Sequence, residues 1–79
     1  MKIAVRYFAV LRERRGLSSE TVETEADTPT ALYRELDLAH HFGLDLGLVK
    51  AALNGEFAVG DVTLKAGDEV VFIPPVAGG

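Results

Sequence analysis

The sequence predicts an α+β fold in which one main helix packs across one face of a mixed β-sheet. Three observations carry this. Short β-rich stretches with alternating apolar residues open and close the chain, and one stretch of helical periodicity with a recognisable start lies between them. Asn54-Gly55 marks a tight hairpin between two further apolar runs. The order is strand, strand, helix, strand, short strands, strand, which makes a two-layer domain.

Each element has its own signal. Residues 2–10 are rich in β-formers, with Ile3, Val5 and Tyr7 on one face and Ala4, Arg6 and Phe8 on the other, so a strand is expected throughout. Residues 11–16 read as a polar turn or single helical turn that Gly16 ends. Residues 18–25 alternate weakly around Val22 and carry Glu20, Glu23 and Glu25, a composition suited to a sheet edge. Thr28 as N-cap and Pro29 at the first helical position start the helix. Ala31, Leu32, Leu36 and Ala39 form its core stripe, and it fades over residues 40–43. Residues 44–47 connect to a buried strand at 48–53, and the hairpin returns through 56–58. Gly60-Asp61 turns, 62–64 is a short strand, 65–68 turns again, and 69–73 is the last strand, stopped by Pro74-Pro75. The folded domain is thus expected over residues 1–75, with 76–79 as a flexible tail.

Composition narrows the function. The chain has 79 residues, enough for one small domain, and 48% of them are hydrophobic. It has no cysteine, which removes disulfides and thiolate zinc sites as stabilisers. Eight basic residues against twelve acidic ones give a net charge of −4, which argues against nucleic acid as the main partner. Apolar runs are too short to span a membrane, and the N-terminus moves into a strand without a signal-peptide pattern, so a cytoplasmic protein is expected.

Side-chain catalysis finds little support. Ser18 and Ser19 lie on the weak second strand, with no base and orienting group in view. His40 and His41 are adjacent, so they cannot share a helix face as metal ligands do, even with Asp37 or Asp45 nearby. They read as polar residues at a helix end, and no metal is expected. Gly55, Gly60 and Gly67 sit at turns and match no phosphate-binding fingerprint. Arg12, Arg14 and Arg15 read as a solvated turn or as a rim for an acidic partner.

The C-terminus is the distinctive feature. Two prolines stiffen the exit from the last strand, and Val76-Ala77-Gly78-Gly79 ends in two residues without side chains. Such an end fits a channel too narrow for a Cβ, and its carboxylate can reach another protein's active site. A frayed terminus of no functional consequence has the same composition.

At Phe72-Ile73-Pro74-Pro75-Val76-Ala77-Gly78-Gly79 the chain closely resembles the small-subunit family of molybdopterin synthase, ubiquitin-like (β-grasp) sulfur carriers of molybdenum cofactor biosynthesis. Tyr7-Phe8-Ala9-Val10-Leu11-Arg12-Glu13, Ala51-Ala52-Leu53-Asn54-Gly55 and Gly67-Asp68-Glu69-Val70 extend the likeness over nearly the whole chain; residues 40–48 align least and carry nothing over. The resemblance implies no bound cofactor. An activating enzyme uses ATP to adenylate the Gly79 carboxylate, and a sulfur donor protein converts it to a thiocarboxylate. The tail, Pro75, Val76, Ala77, Gly78 and Gly79, then enters the large synthase subunit and gives sulfur to a pterin precursor. The implied assembly is a heterotetramer of two small and two large subunits, with catalytic side chains on the partner.

The alternation proposes a docking surface for that partner. Val70 and Phe72 inward leave Val71 and Ile73 outward, beside Phe8. Phe8, Phe57 and Ile73 occupy places where the family has an apolar partner-binding patch, with Arg6 and Arg12 at its rim. Three other readings stay open: a sulfur carrier for thiazole (thiamine) biosynthesis, a protein modifier joined to target lysines through Gly79, and a plain binding module with an incidental tail.

Overall fold

The computed structural model describes residues 1–58, 60 and 62–75. Five strands form one mixed sheet, β1 (Lys2–Tyr7), β2 (Ser19–Glu23), β3 (Lys50–Leu53), β4 (Glu56–Phe57) and β5 (Glu69–Ile73), in the order β2-β1-β5-β3-β4. Helices α1 (Ala9–Arg15) and α2 (Pro29–His40) complete it, with a 3-10 turn at Leu46–Leu48. β1 pairs antiparallel to β2 and parallel to β5, and β3 pairs antiparallel to β5 and β4. The last strand is therefore the middle of the sheet, held on both sides.

Alternation sets the core. Ile3, Val5 and Tyr7 of β1 and Val70 and Phe72 of β5 turn to the helix-covered face, where they meet Leu11, Leu32, Tyr33 and Leu36. All of these are buried, and their packing is the main stabilising term of so small a domain. Phe42, fully buried, fills the space between Tyr7 and Tyr33, with ring centroids 5.7 Å and 5.8 Å away.

Several expectations need correction. Strand β1 ends at Tyr7 rather than residue 10, because Ala9 has φ of 51° and turns the chain directly into a second helix. That helix, α1, runs two turns where a single turn was expected. Gly16 closes it in the left-handed region, φ 79°, donating its N–H to the Arg12 carbonyl. Residues 62–64 form no strand: the Leu64 amide donates to the Asp27 carbonyl at 2.8 Å, and its buried side chain plugs the core from a loop. Within α2 the core stripe runs through Leu32, Tyr33 and Leu36, whereas Ala39 is exposed. The strand expected at 48–53 starts at Lys50, since Leu46–Leu48 is taken up by the 3-10 turn.

Other elements follow their signals. Thr28 accepts from the Ala31 amide through its hydroxyl and caps α2, with Pro29 in the first turn. β2 lies at the sheet edge. Asn54 and Gly55 take φ of 50° and 89°, the two positive angles a type I′ turn requires. Asn54 also fastens the hairpin to the next turn, donating to Asp68 at 3.0 Å and accepting from the Glu69 amide at 2.8 Å.

Candidate functional site

β5 delivers the chain to the expected tail. It is paired to β1 as far as Phe72, opposite Tyr7, and to β3 as far as its last residue, Ile73, opposite Lys50. Pro74, buried, and Pro75, exposed, follow. Neither has an N–H, so neither can donate to the ladder. The stem of the terminus is thus rooted in the central strand. Val76, Ala77, Gly78 and Gly79 lie outside the described residues.

The sheet face turned away from the helices is the surface beside that stem. Pairing lines up Ser19, Arg6, Val71, Ala52 and Phe57 in one row across all five strands. The row nearer the prolines holds Ile73 opposite Lys50, with Phe8 one residue beyond the last β1–β5 pair. Phe8 is 42% exposed and Phe57 66% exposed, both unusual for so large an apolar side chain. Ile73 is half-buried. The Arg6 guanidinium carbon stands 5.9 Å from the Phe8 ring centroid, a cation–π contact that holds Phe8 at the edge of the face. Arg12 is exposed one turn into α1, its amide directed at the Phe8 carbonyl.

The expected patch residues are therefore not all neighbours. Phe8 and Ile73 share one end of the face, while Phe57 lies on the far edge strand and joins them through Ala52 and Val71. Ala52 and Lys50 were missed by sequence reasoning, although a signal was present. A two-residue Asn54-Gly55 turn fixes Phe57 opposite Ala52, so an outward Phe57 requires an outward Ala52, and Lys50 two residues before it.

The titratable groups on the helix side hold the fold. The Tyr7 hydroxyl donates to Glu20 at 2.7 Å, and Arg15 forks onto the same carboxylate at 2.7 Å and 2.8 Å. The Arg15 hydrogen bonds and that from Tyr7 hold the Glu20 carboxyl below its ordinary value, against some desolvation. Burial, reinforced by Glu20, pushes the Tyr7 phenol well up. Arg14 donates to the Phe42 carbonyl. Asp37 and Asp45 accept from the Gly43 and Gly47 amides and so act as loop caps. Among the described residues no three His, Asp or Glu side chains gather as a metal site would require, and no helix is long and apolar enough to cross a membrane.

What this arrangement can do chemically is present a terminus from a rigid central strand beside a partly apolar face. Comparison with known proteins gives it a context. The molybdopterin synthase sulfur carrier subunit of Escherichia coli (strain K12) is 37% identical over 82 residues, covering 98% of this chain and 99% of that protein. SAMP1 from Haloferax volcanii matches with a TM-score of 0.80 at 28% identity, covering 100% of both chains. A protein–protein complex of subunits 1 and 2 of the molybdopterin-converting factor from Helicobacter pylori 26695 contains a chain matching at a TM-score of 0.70 and 28% identity, again over 100% of both. The architecture is the ubiquitin-like β-grasp. A model described as the ThiS family matches residues 5–79, and on that near-complete match the chain belongs to the ThiS family.

Proposed function

We propose that this chain is the sulfur-carrying small subunit of a molybdopterin synthase and that its reacting group is the carboxyl of Gly79. The observation that carries the reading is the full-length likeness to the Escherichia coli sulfur carrier subunit, in a chain whose Gly78-Gly79 terminus is rooted through Pro74-Pro75 in the central strand.

The chemistry follows from the terminus. A carboxylate is a poor electrophile, so an activating enzyme joins one of its oxygens to the α-phosphorus of ATP and releases pyrophosphate. The outer sulfur of a persulfide on a donor protein attacks the acyl carbon, and AMP leaves with the shared oxygen. A thiol then cleaves the resulting acyl disulfide, forming a disulfide with the donor's sulfur and releasing Gly79 as a thiocarboxylate. That sulfur is a soft nucleophile, and insertion of residues 75–79 into the large subunit brings it to a pterin precursor at high effective concentration. This chain supplies the reacting atom and the docking surface; the side chains that catalyse belong to the partners. The complex of the related Helicobacter pylori subunits 1 and 2 supports a large-subunit partner. Phe8, Phe57 and Ile73 form the apolar contact, continuous through Val71 and Ala52, with Arg6 and Arg12 at its rim.

The test is reconstitution with an activating enzyme, a sulfur donor and ATP, followed by intact mass spectrometry. Exchange of one oxygen for sulfur at Gly79 is the expected result, and an unmodified terminus under conditions that load a known carrier contradicts the reading.

A second reading has its own support: SAMP1 of Haloferax volcanii, 28% identical, belongs with structures named small archaeal modifier protein 1. Conjugation through Gly79 to lysines uses the same activated terminus. Target lysines carrying the tail in cell lysates would establish it.

A further inference from the structure

We propose that Lys50 and Arg6 flank the apolar strip at the tail end of the open face and select a partner whose docking surface is apolar at its centre and acidic at its margin. This rests on the reading of the chain as a carrier that docks beside its own terminus, and it adds Lys50 and the charge of the partner surface.

The argument starts from how charge is distributed. The whole chain carries twelve acidic residues against eight basic ones. The open face reverses that balance where it matters. In the two rows nearest Pro74-Pro75 the described strand positions are Ser19, Arg6, Val71, Ala52, Phe57, Ile73 and Lys50, with Phe8 at the margin, and none is a carboxylate. The acidic residues of this face, Glu69 and Glu23, lie farther down, paired with Ala4 and Lys2.

Lys50 is placed to act on whatever meets the stem. It pairs directly with Ile73, the last residue of β5, so its Cα is one strand spacing, about 5 Å, from the point where the terminus leaves the sheet. Arg6 sits on the opposite side of β5, paired with Val71. The apolar strip thus has one cation on each side. Both are exposed, and among the described residues the ion pairs are Met1–Glu23 and Arg15–Glu20, which involve neither. Their charge is available to a partner.

A net-acidic protein approaching an acidic partner surface is repelled at long range unless it presents a local cationic face. Cations beside an apolar strip orient the encounter so that the terminus arrives at the mouth rather than elsewhere, and their effect falls mainly on association rate and salt dependence.

The experiment measures binding of the full chain to the large synthase subunit, by stopped flow and calorimetry, at low salt and at about 1 M salt, where the screening length is about 3 Å. Lys50→Glu and Lys65→Glu change net charge equally. Lys65 lies in the turn before β5, at the opposite end of that strand. The expected result is that Lys50→Glu weakens binding about tenfold or more at low salt, mostly through the association rate. At high salt the loss shrinks, Lys65→Glu has little effect, and Lys50→Arg binds as the parent does. Lys50→Gln, with an intermediate loss, serves if Lys50→Glu fails to fold. Equal effects of the Lys50 and Lys65 reversals, or tighter binding by Lys50→Glu, overturn the proposal. A Phe8→Asp variant run in parallel separates the two levels. If it loses binding while Lys50→Glu does not, the apolar dock stands and the acidic partner surface is wrong. If the parent chain does not bind the large subunit at all, the carrier reading fails with it.

Discussion

The Tyr7 hydroxyl on β1 donates a 2.7 Å hydrogen bond to the Glu20 carboxylate on β2, and Arg15, at the end of α1, grips the same carboxylate. Three consecutive elements meet at one acid. The edge strand is poorly hydrophobic, so this polar junction takes over part of the work that burial does elsewhere.

Replacing Glu20 with Gln therefore lowers stability by about 1 kcal/mol, kept modest because the Glu20–Arg15 pair is partly open to water. That corresponds to a fall in Tm of roughly 4–8 °C for a domain of this size. The pH dependence has a definite sign. Arg15 and Tyr7 depress the Glu20 carboxyl in the folded state, so its contribution is complete above the ordinary value of 4.5 and is lost as pH falls through the lower folded value. Thermal melts of parent and variant should differ most near neutral pH and converge as the pH falls through the lowered folded value. A gap that widens on acidification contradicts the assignment.

Phe42 is the second test of the fold. It is fully buried between two tyrosines, in a loop rather than in a strand or helix. Phe42→Ala is expected to cost about 3–5 kcal/mol, a large part of the stability of so small a domain. By contrast Leu38→Gln, at a position 80% exposed, should stay within about 0.5 kcal/mol. Chemical denaturation of the two variants measures both.

Phe8→Asp separates docking from folding. Phe8 occupies the N-cap of α1 with extended backbone angles, φ −125° and ψ 154°, and makes no side-chain cap bond. Aspartate is a preferred residue there, so the thermal midpoint should hold or rise. Binding to the large subunit should weaken by about tenfold or more, as for loss of an aromatic anchor. Unchanged affinity by calorimetry removes Phe8 from the docking surface.

How much of this was legible in the sequence depended on whether the signal was local. Glu69–Ile73 could be read to the residue, because alternation and the following proline pair bound it on its own terms. Thr28, Pro29 and the Asn54-Gly55 turn are likewise local chemistry. The strand-to-helix switch at Ala9 was hidden, since Phe8, Ala9 and Val10 suit a strand and only tertiary packing drives Ala9 to positive φ. Phe42 and Leu64 were hidden for the same reason: each fills the core from a segment without periodicity. At the candidate site, Phe8 and Ile73 follow from alternation within one strand. Their relation to Phe57, Ala52 and Lys50 depends on strand order, which no single stretch of sequence carries.

The central claim is that the chain works through its last residue. It is tested most directly by sulfur transfer to the pterin precursor in a reconstituted synthase, comparing the parent with a chain lacking Gly79 and with one extended by a single residue. Transfer should disappear in both variants while their thermal midpoints match the parent. Sulfur transfer at the parent rate from either variant would contradict the account.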